Sequence, residues 1–135
     1  MPGSAKRNTF SKPEKLCSQT QIDRLFSEGK SLSSHHFRLI YTETEPTLQP
    51  PVKILIAVPK KNIKLAVNRN RMKRLIREAY RISKHNLLET YARAGIHCDI
   101  AFIFTGKKCI TQQETQTAIN ELMDRLIYTH ENHPE

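Results

Sequence analysis

Sixteen residues, Ala66 to Arg81, constrain this chain more than any other stretch; they read AVNRNRMKRLIREAYR. On a helix advancing about 100° per residue, Met72, Leu75, Ile76, Ala79 and Tyr80 form one apolar stripe, which Ser83 extends. Asn70, Lys73, Arg74, Arg77, Arg81 and Lys84 form a continuous basic stripe on the other side, with Arg69 and Arg71 flanking its start. Such a helix docks on a core by one face and offers a comb of cations with the other. Glu78 is the one acid between Arg69 and Lys84, and it can pair with Arg74 or Arg71. The ordinary reading is a solvated face. Solvated helices, however, interleave both signs at four-residue spacing, which relieves self-repulsion. Clustering of one sign favours a polyanion.

Composition sharpens this. At 135 residues the chain is expected to form one domain with a single core. A net charge of +9 points to a nucleic acid or an anionic membrane surface. The excess is local: Lys53 to Lys84 holds 11 basic residues against one acid, and the remainder holds 11 against 12. A general solubility role would not need that asymmetry. No run of eighteen apolar residues occurs and the N-terminus lacks an apolar h-region, so neither a membrane span nor a secretory signal is expected. Cys17, Cys98 and Cys109 are odd in number and lack C-x-x-C spacing, which suggests neither a disulfide framework nor a zinc site. A soluble protein of a reducing cytoplasm is expected.

Residues 1–13 are polar and basic and are expected to be a flexible arm, with Phe10 able to tack it onto a body spanning 14–129. Ser18 and Gln21 resemble a capping box opening a short helix with Ile22, Leu25 and Phe26 on one face, ended by Gly29. A strand follows from Phe37 to Thr42, with Phe37, Leu39 and Tyr41 on one side and Arg38, Ile40 and Thr42 on the other. Glu43 to Pro51 reads as a loop, most simply the turn of a hairpin to a second strand, Val52 to Val58, which Pro59 stops. After the basic helix, Leu87, Leu88, Tyr91 and Ala92 keep helical spacing, either in the same helix or after a break near His85-Asn86; Gly95 ends it. Cys98 to Phe104 is a third strand, apolar enough to be covered on both faces. Thr111 and Glu114 cap a last helix with a stripe of Ala118, Ile119, Leu122, Met123, Leu126 and Ile127, and residues 130–135 are a polar tail. The order helix-strand-strand-helix-strand-helix gives an α+β fold, a small α/β sandwich. Its crossover through the basic helix would by default be right-handed.

No catalytic constellation emerges. The six histidines are scattered, Asp99 and Glu78 are lone acids, and a metal-dependent nuclease would need clustered carboxylates. Phe104-Thr105-Gly106-Lys107-Lys108 follows a strand but lacks a glycine-rich phosphate cradle, and reads as a basic turn.

Lys60-Lys61 followed by AVNRNRMKRLIREAYR resembles the protein subunit of bacterial ribonuclease P, whose chains show a K-K segment, then A-V, then R-N-R-x-K-R-x-x-R-E. The likeness extends more loosely to Lys15-Leu16, Ile22 to Phe26, Gly29, Phe37-Arg38-Leu39 and Asp99 to Phe104. It implies the fold of ribosomal protein S5 domain 2, with a left-handed βαβ crossover in place of the default hand. It also implies a protein that binds a catalytic RNA and, with it, removes the 5′ leader from precursor tRNA, the RNA performing hydrolysis with Mg2+. The implied partners are that RNA and precursor tRNA, with no membrane and one monomeric protein per RNA. Lys60, Lys61, Arg69, Arg71 and Arg81 are then candidates for the catalytic RNA. Ile22, Phe26, Phe37, Asn70, Lys73, Arg74 and Arg77 are candidates for the leader, although Phe26 and Phe37 also suit a core. The chain departs from the family in lacking glycine at Leu55 and in Asn62-Ile63-Lys64-Leu65, and in having Ile22 and Ile40 where aromatics are common. Two other classes fit the same comb: a basic ribosomal or RNA-chaperone protein, and a stand-alone RNA-processing enzyme.

Overall fold

The computed structural model describes residues 15–16, 18–44 and 52–131. The whole of the expected basic arm, the loop tip before β3 and the end of the polar tail lie outside them. The described elements are α1 (Gln19–Glu28), β1 (Lys30–Ser33), β2 (Phe37–Thr44), β3 (Val52–Ala57), α2 (Ala66–Ala94), β4 (His97–Phe104) and α3 (Gln112–Glu131). They build one sheet in the order β1-β2-β4-β3.

That order corrects the expected hairpin between β2 and β3. Strand β4 lies between them, antiparallel to β2 (Phe37↔Phe104) and parallel to β3 (Ala57↔Ile103). The reason is burial. Every β4 residue from Cys98 to Phe102 is buried, whereas Lys53, Leu55, Ile56 and Ala57 of β3 are only half-buried. The strand that must be covered on both faces takes the centre. β3 takes the edge, which Lys15–Leu16 partly closes: Leu16 N–H donates to Ile54 O at 2.9 Å. The true hairpin is β1–β2. β1 was not anticipated because KSLS offers one half-buried apolar residue, Leu32, and no alternating pattern.

Alternation along the strands divides the apolar residues between two layers. Phe37, Leu39, Tyr41, Val52, Ile54, Cys98, Ile100, Phe102 and Phe104 meet α2 and α3 in the main core. Ile40 and Ala101, with Leu55 and Ile103, meet Leu16, Ile22 and Leu25 in a smaller cluster under α1. The approach of α1 to β2 requires Gly29: a Cβ there would lie 2.4 Å from Leu25 O and 2.6 Å from Ile40 Cγ2. Helix α2 runs unbroken through His85-Asn86 and stops at Gly95, whose φ of 70° is the left-handed conformation of a glycine C-terminus. Asp99 is buried beside β3, and burial raises its carboxyl above the usual range despite nearby Lys53 and Arg24.

Candidate nucleic-acid interface

Helix α2 has 29 residues, about 44 Å of axis at the usual rise. Met72, Ile76, Ala79, Tyr80, Leu87 and Tyr91 are buried, so core packing holds it. Its neighbour α3 is parallel and starts later. Gln116 Nε2 donates to Ala79 O at 3.1 Å and to Ser83 Oγ at 2.7 Å, and Ser83 also bonds Asn120. Since Gln116 is near the start of α3, that helix begins beside about Leu75. The first turns of α2 therefore run ahead of their flanking helix, and solvent reaches their sides. Asn70, Arg71 and Arg74 are exposed; Arg69, Lys73 and Arg77 are half-exposed.

Further along, α3 widens the buried arc, and two expectations change. Lys84, placed on the basic stripe by its spacing, is only 5% exposed. Its position falls in line with Tyr80, Leu87 and Tyr91, on the buried side of the helix. Glu78 pairs with Arg81 rather than Arg74 or Arg71. That hydrogen bond draws the Glu78 carboxyl below its ordinary range and raises Arg81. Arg81 also stands about 18 Å along the axis from Arg69, so the structure does not gather it with the other catalytic-RNA candidates.

Lys60, Lys61 and Arg69 do come together. Arg69 Nη1 donates to Ile63 O at 3.1 Å and Lys64 O at 2.7 Å, bracing the turn that carries the two exposed lysines. The leader candidates are split by the sheet. Asn70, Lys73, Arg74 and Arg77 are on α2, whereas Ile22 and Phe26 are on α1 at the opposite face. Phe26 is 47% exposed and available for stacking; Ile22 packs partly against the cluster beneath α1. Phe37 is corrected to a core residue, 1% exposed and edge-on to Phe104 at 5.3 Å. The alternation that puts Phe37 on one face of β2 aims it at α2 and α3, not at α1.

Lys107 and Lys108 lie in the expected basic turn after β4. The structure sets that turn beside Lys60 and Lys61, because Lys107 Nζ donates to Asn62 Oδ1 at 3.0 Å. The signal was present: turns leaving the same end of adjacent parallel strands must be neighbours. It could not be used from sequence alone, because spacing does not show that β3 and β4 are adjacent.

Residues 10–127 match the family model described as Ribonuclease P. The chain is 39% identical over 107 residues to the ribonuclease P protein component of Chlorobium phaeobacteroides, covering 73% of each chain. It is 32% identical over 117 residues to that of Porphyromonas gingivalis, covering 87% of this chain and 85% of the other. Among solved structures, the Staphylococcus aureus RNase P protein superposes with a TM-score of 0.68 at 21% identity, over 84% of this chain and 94% of that one. The Thermotoga maritima RNase P protein gives 0.63 at 23% identity, over 83% and 96%. With a family model spanning most of its length and a relative at this identity, the chain belongs to the ribonuclease P protein family.

Proposed function

We propose that this chain is the RNA-binding subunit of a ribonuclease P holoenzyme and supports removal of the 5′ leader from precursor tRNA. The observation that carries this reading is the comb on the leading turns of α2, in a chain of this family. Lys60, Lys61, Arg69 and Arg71 are assigned to the catalytic RNA. Asn70, Lys73, Arg74 and Arg77 are assigned to the leader, with Phe26 as a stacking platform on the α1 side. Single-stranded RNA offers phosphates and π-faces, which cations and a few aromatics bind with little sequence reading.

Hydrolysis is assigned to the RNA. Among the described residues no three histidine, cysteine or acidic side chains gather to hold a metal. Mg2+ favours oxygen ligands, and phosphate oxygens of the RNA are assigned to hold it. The protein's cations reduce repulsion between two polyanions brought together.

Reconstitution with a bacterial ribonuclease P RNA at low magnesium tests the reading. The expected result is 5′ cleavage only when both components are present. Binding without any support of cleavage would mark a ribosomal or chaperone protein. Cleavage by protein alone at the mature 5′ end, surviving nuclease treatment, would mark a stand-alone enzyme.

A further inference from the structure

Two loops leave the same end of β3 and β4 and meet where α2 begins. The joint is Asn62. Its Nδ2 donates to Phe104 O at 3.1 Å, and Lys107 Nζ donates to its Oδ1 at 3.0 Å. One side chain thus ties the turn bearing Lys60 and Lys61 to the turn bearing Lys107 and Lys108. These four lysines and Lys64 are exposed, and neither loop contains an acid. Cys109 Sγ, 3.8 Å from Asn68 O, ties the second loop to α2 as well.

Holding ammonium groups together is unfavourable in an isolated protein, because like charges repel. A carboxylate at position 62 would grip Lys107 by a charge-assisted bond and cancel part of that repulsion. It would also lose the donor that the amide gives to Phe104 O, so a carboxylate could make only one of the two bonds. The amide instead holds the lysine and leaves the patch its full charge, which suits a surface whose partner supplies the anions. No aromatic residue stands in either loop, so the patch offers phosphates point charges and offers bases no platform. That chemistry fits the backbone of a folded RNA rather than a single-stranded leader.

We infer that Asn62 is a positioning residue that joins the two lysine turns into one phosphate-binding surface for the catalytic RNA, beyond the comb of α2. The inference rests on the RNA-binding reading above and assigns Lys107 and Lys108 to it.

The test is a KCl titration of full-chain binding to a labelled ribonuclease P RNA transcript. Lys107→Ala with Lys108→Ala should weaken binding on the order of tenfold and flatten the log–log salt slope by about one to two units. Asn62→Ala removes no charge, yet should flatten the slope by up to about one unit, because Lys107 is no longer held at its phosphate. A residue with only a structural role would lower the thermal midpoint and leave the slope alone. Asn62→Ala combined with Lys107→Ala should lose no more affinity than Lys107→Ala itself. Additive losses, or an unchanged slope in the Lys107→Ala/Lys108→Ala protein, would overturn the inference even if Asn62 variants fold poorly. Arg69→Ala with Arg71→Ala, in the same series, separates the two levels. If that pair weakens binding and the loop variants do not, only this inference fails. If no variant weakens binding, the RNA-binding reading fails with it.

Discussion

Helices α2 and α3 both start from the end of the sheet where β3 and β4 finish, yet their first turns are built in opposite ways. α3 has a reciprocal capping box. Glu114 N–H donates to Thr111 Oγ1 at 3.1 Å, and Thr111 N–H donates to Glu114 Oε1 at 2.9 Å, placing an acid at the positive end of the helix dipole. α2 starts at Leu65, 62% exposed, with no side-chain cap and no acid in its first turn. Cations follow at once, against the dipole. α3 begins as a helix optimised for stability begins. α2 is held instead by Met72 and Ile76, both fully buried, and its start is left cationic. On the proposed function, the difference separates residues that serve folding from residues that serve RNA binding.

Breaking the comb should have the largest effect. Lys73→Ala with Arg74→Ala removes cations from the face opposite the apolar stripe, so stability should change by less than about 0.5 kcal/mol. In holoenzyme assembled at saturating protein, affinity for precursor tRNA with a long leader should fall on the order of 30- to 100-fold, as expected for two lost phosphate contacts. Mature tRNA, which has no leader, should bind almost as before. Equal losses for both substrates would move Lys73 and Arg74 to the catalytic RNA.

Giving α2 the start that α3 has should separate stability from binding. Leu65→Asp supplies an N-cap and a favourable charge at the dipole, and should raise stability by about 1 kcal/mol. An acid beside Arg69 opposes the polyanion, so RNA affinity should fall by about fivefold, or roughly 1 kcal/mol. Chemical denaturation and RNA binding, measured on one preparation, should move in opposite directions. If both improved, the uncapped start would be no concession to RNA.

The reverse experiment is Thr111→Ala. It removes the acceptor for Glu114 N–H and should cost about 1 kcal/mol of stability. RNA affinity should not change. A loss of affinity comparable to that of the comb variant would mean that the start of α3 also meets RNA.

What could be read in advance follows from what each signal depends on. Local signals were legible: the caps at Ser18 and Thr111, the stops at Gly29 and Gly95, and the alternation along Phe37 to Thr42. Each needs only neighbours in sequence. The signal for strand order was present, since Cys98 to Phe104 reads as covered on both faces and so belongs at the centre, but the nearest partner in sequence was the wrong guide for β3. The comb was visible from spacing alone as far as Arg77. Beyond that point α3 alters the buried arc, which no wheel of α2 by itself can show, and Lys84 moved into the core. Phe37 was legible as an inward residue of β2, but not as facing the layer away from α1.

The smallest effect comes from the acid of the α3 cap. Thr111 N–H, and then the Thr111 side chain, hold the Glu114 carboxyl below its ordinary range, and His36 and His35 add a weaker pull in the same direction. A carboxyl whose folded value is depressed stabilises the fold above its unfolded value, near 4.3, and that contribution fades as pH falls through the folded value. Thermal midpoints of the parent protein should therefore include a decline from this group as pH drops from about 5 toward 3. Glu114→Gln keeps an acceptor for Thr111 N–H without the titration, so its midpoint should start slightly lower at neutral pH and converge with the parent in acid. Because Glu114 is solvent-exposed, salt should shrink the difference. No such group opens α2, where the first turn has no acid, so Leu65→Asp should add a decline of the same sign. If Glu114→Gln instead ran parallel to the parent across the whole range, the cap would be acting through its hydrogen bonds alone. The contrast between the two helix starts would then be one of bonding and not of charge.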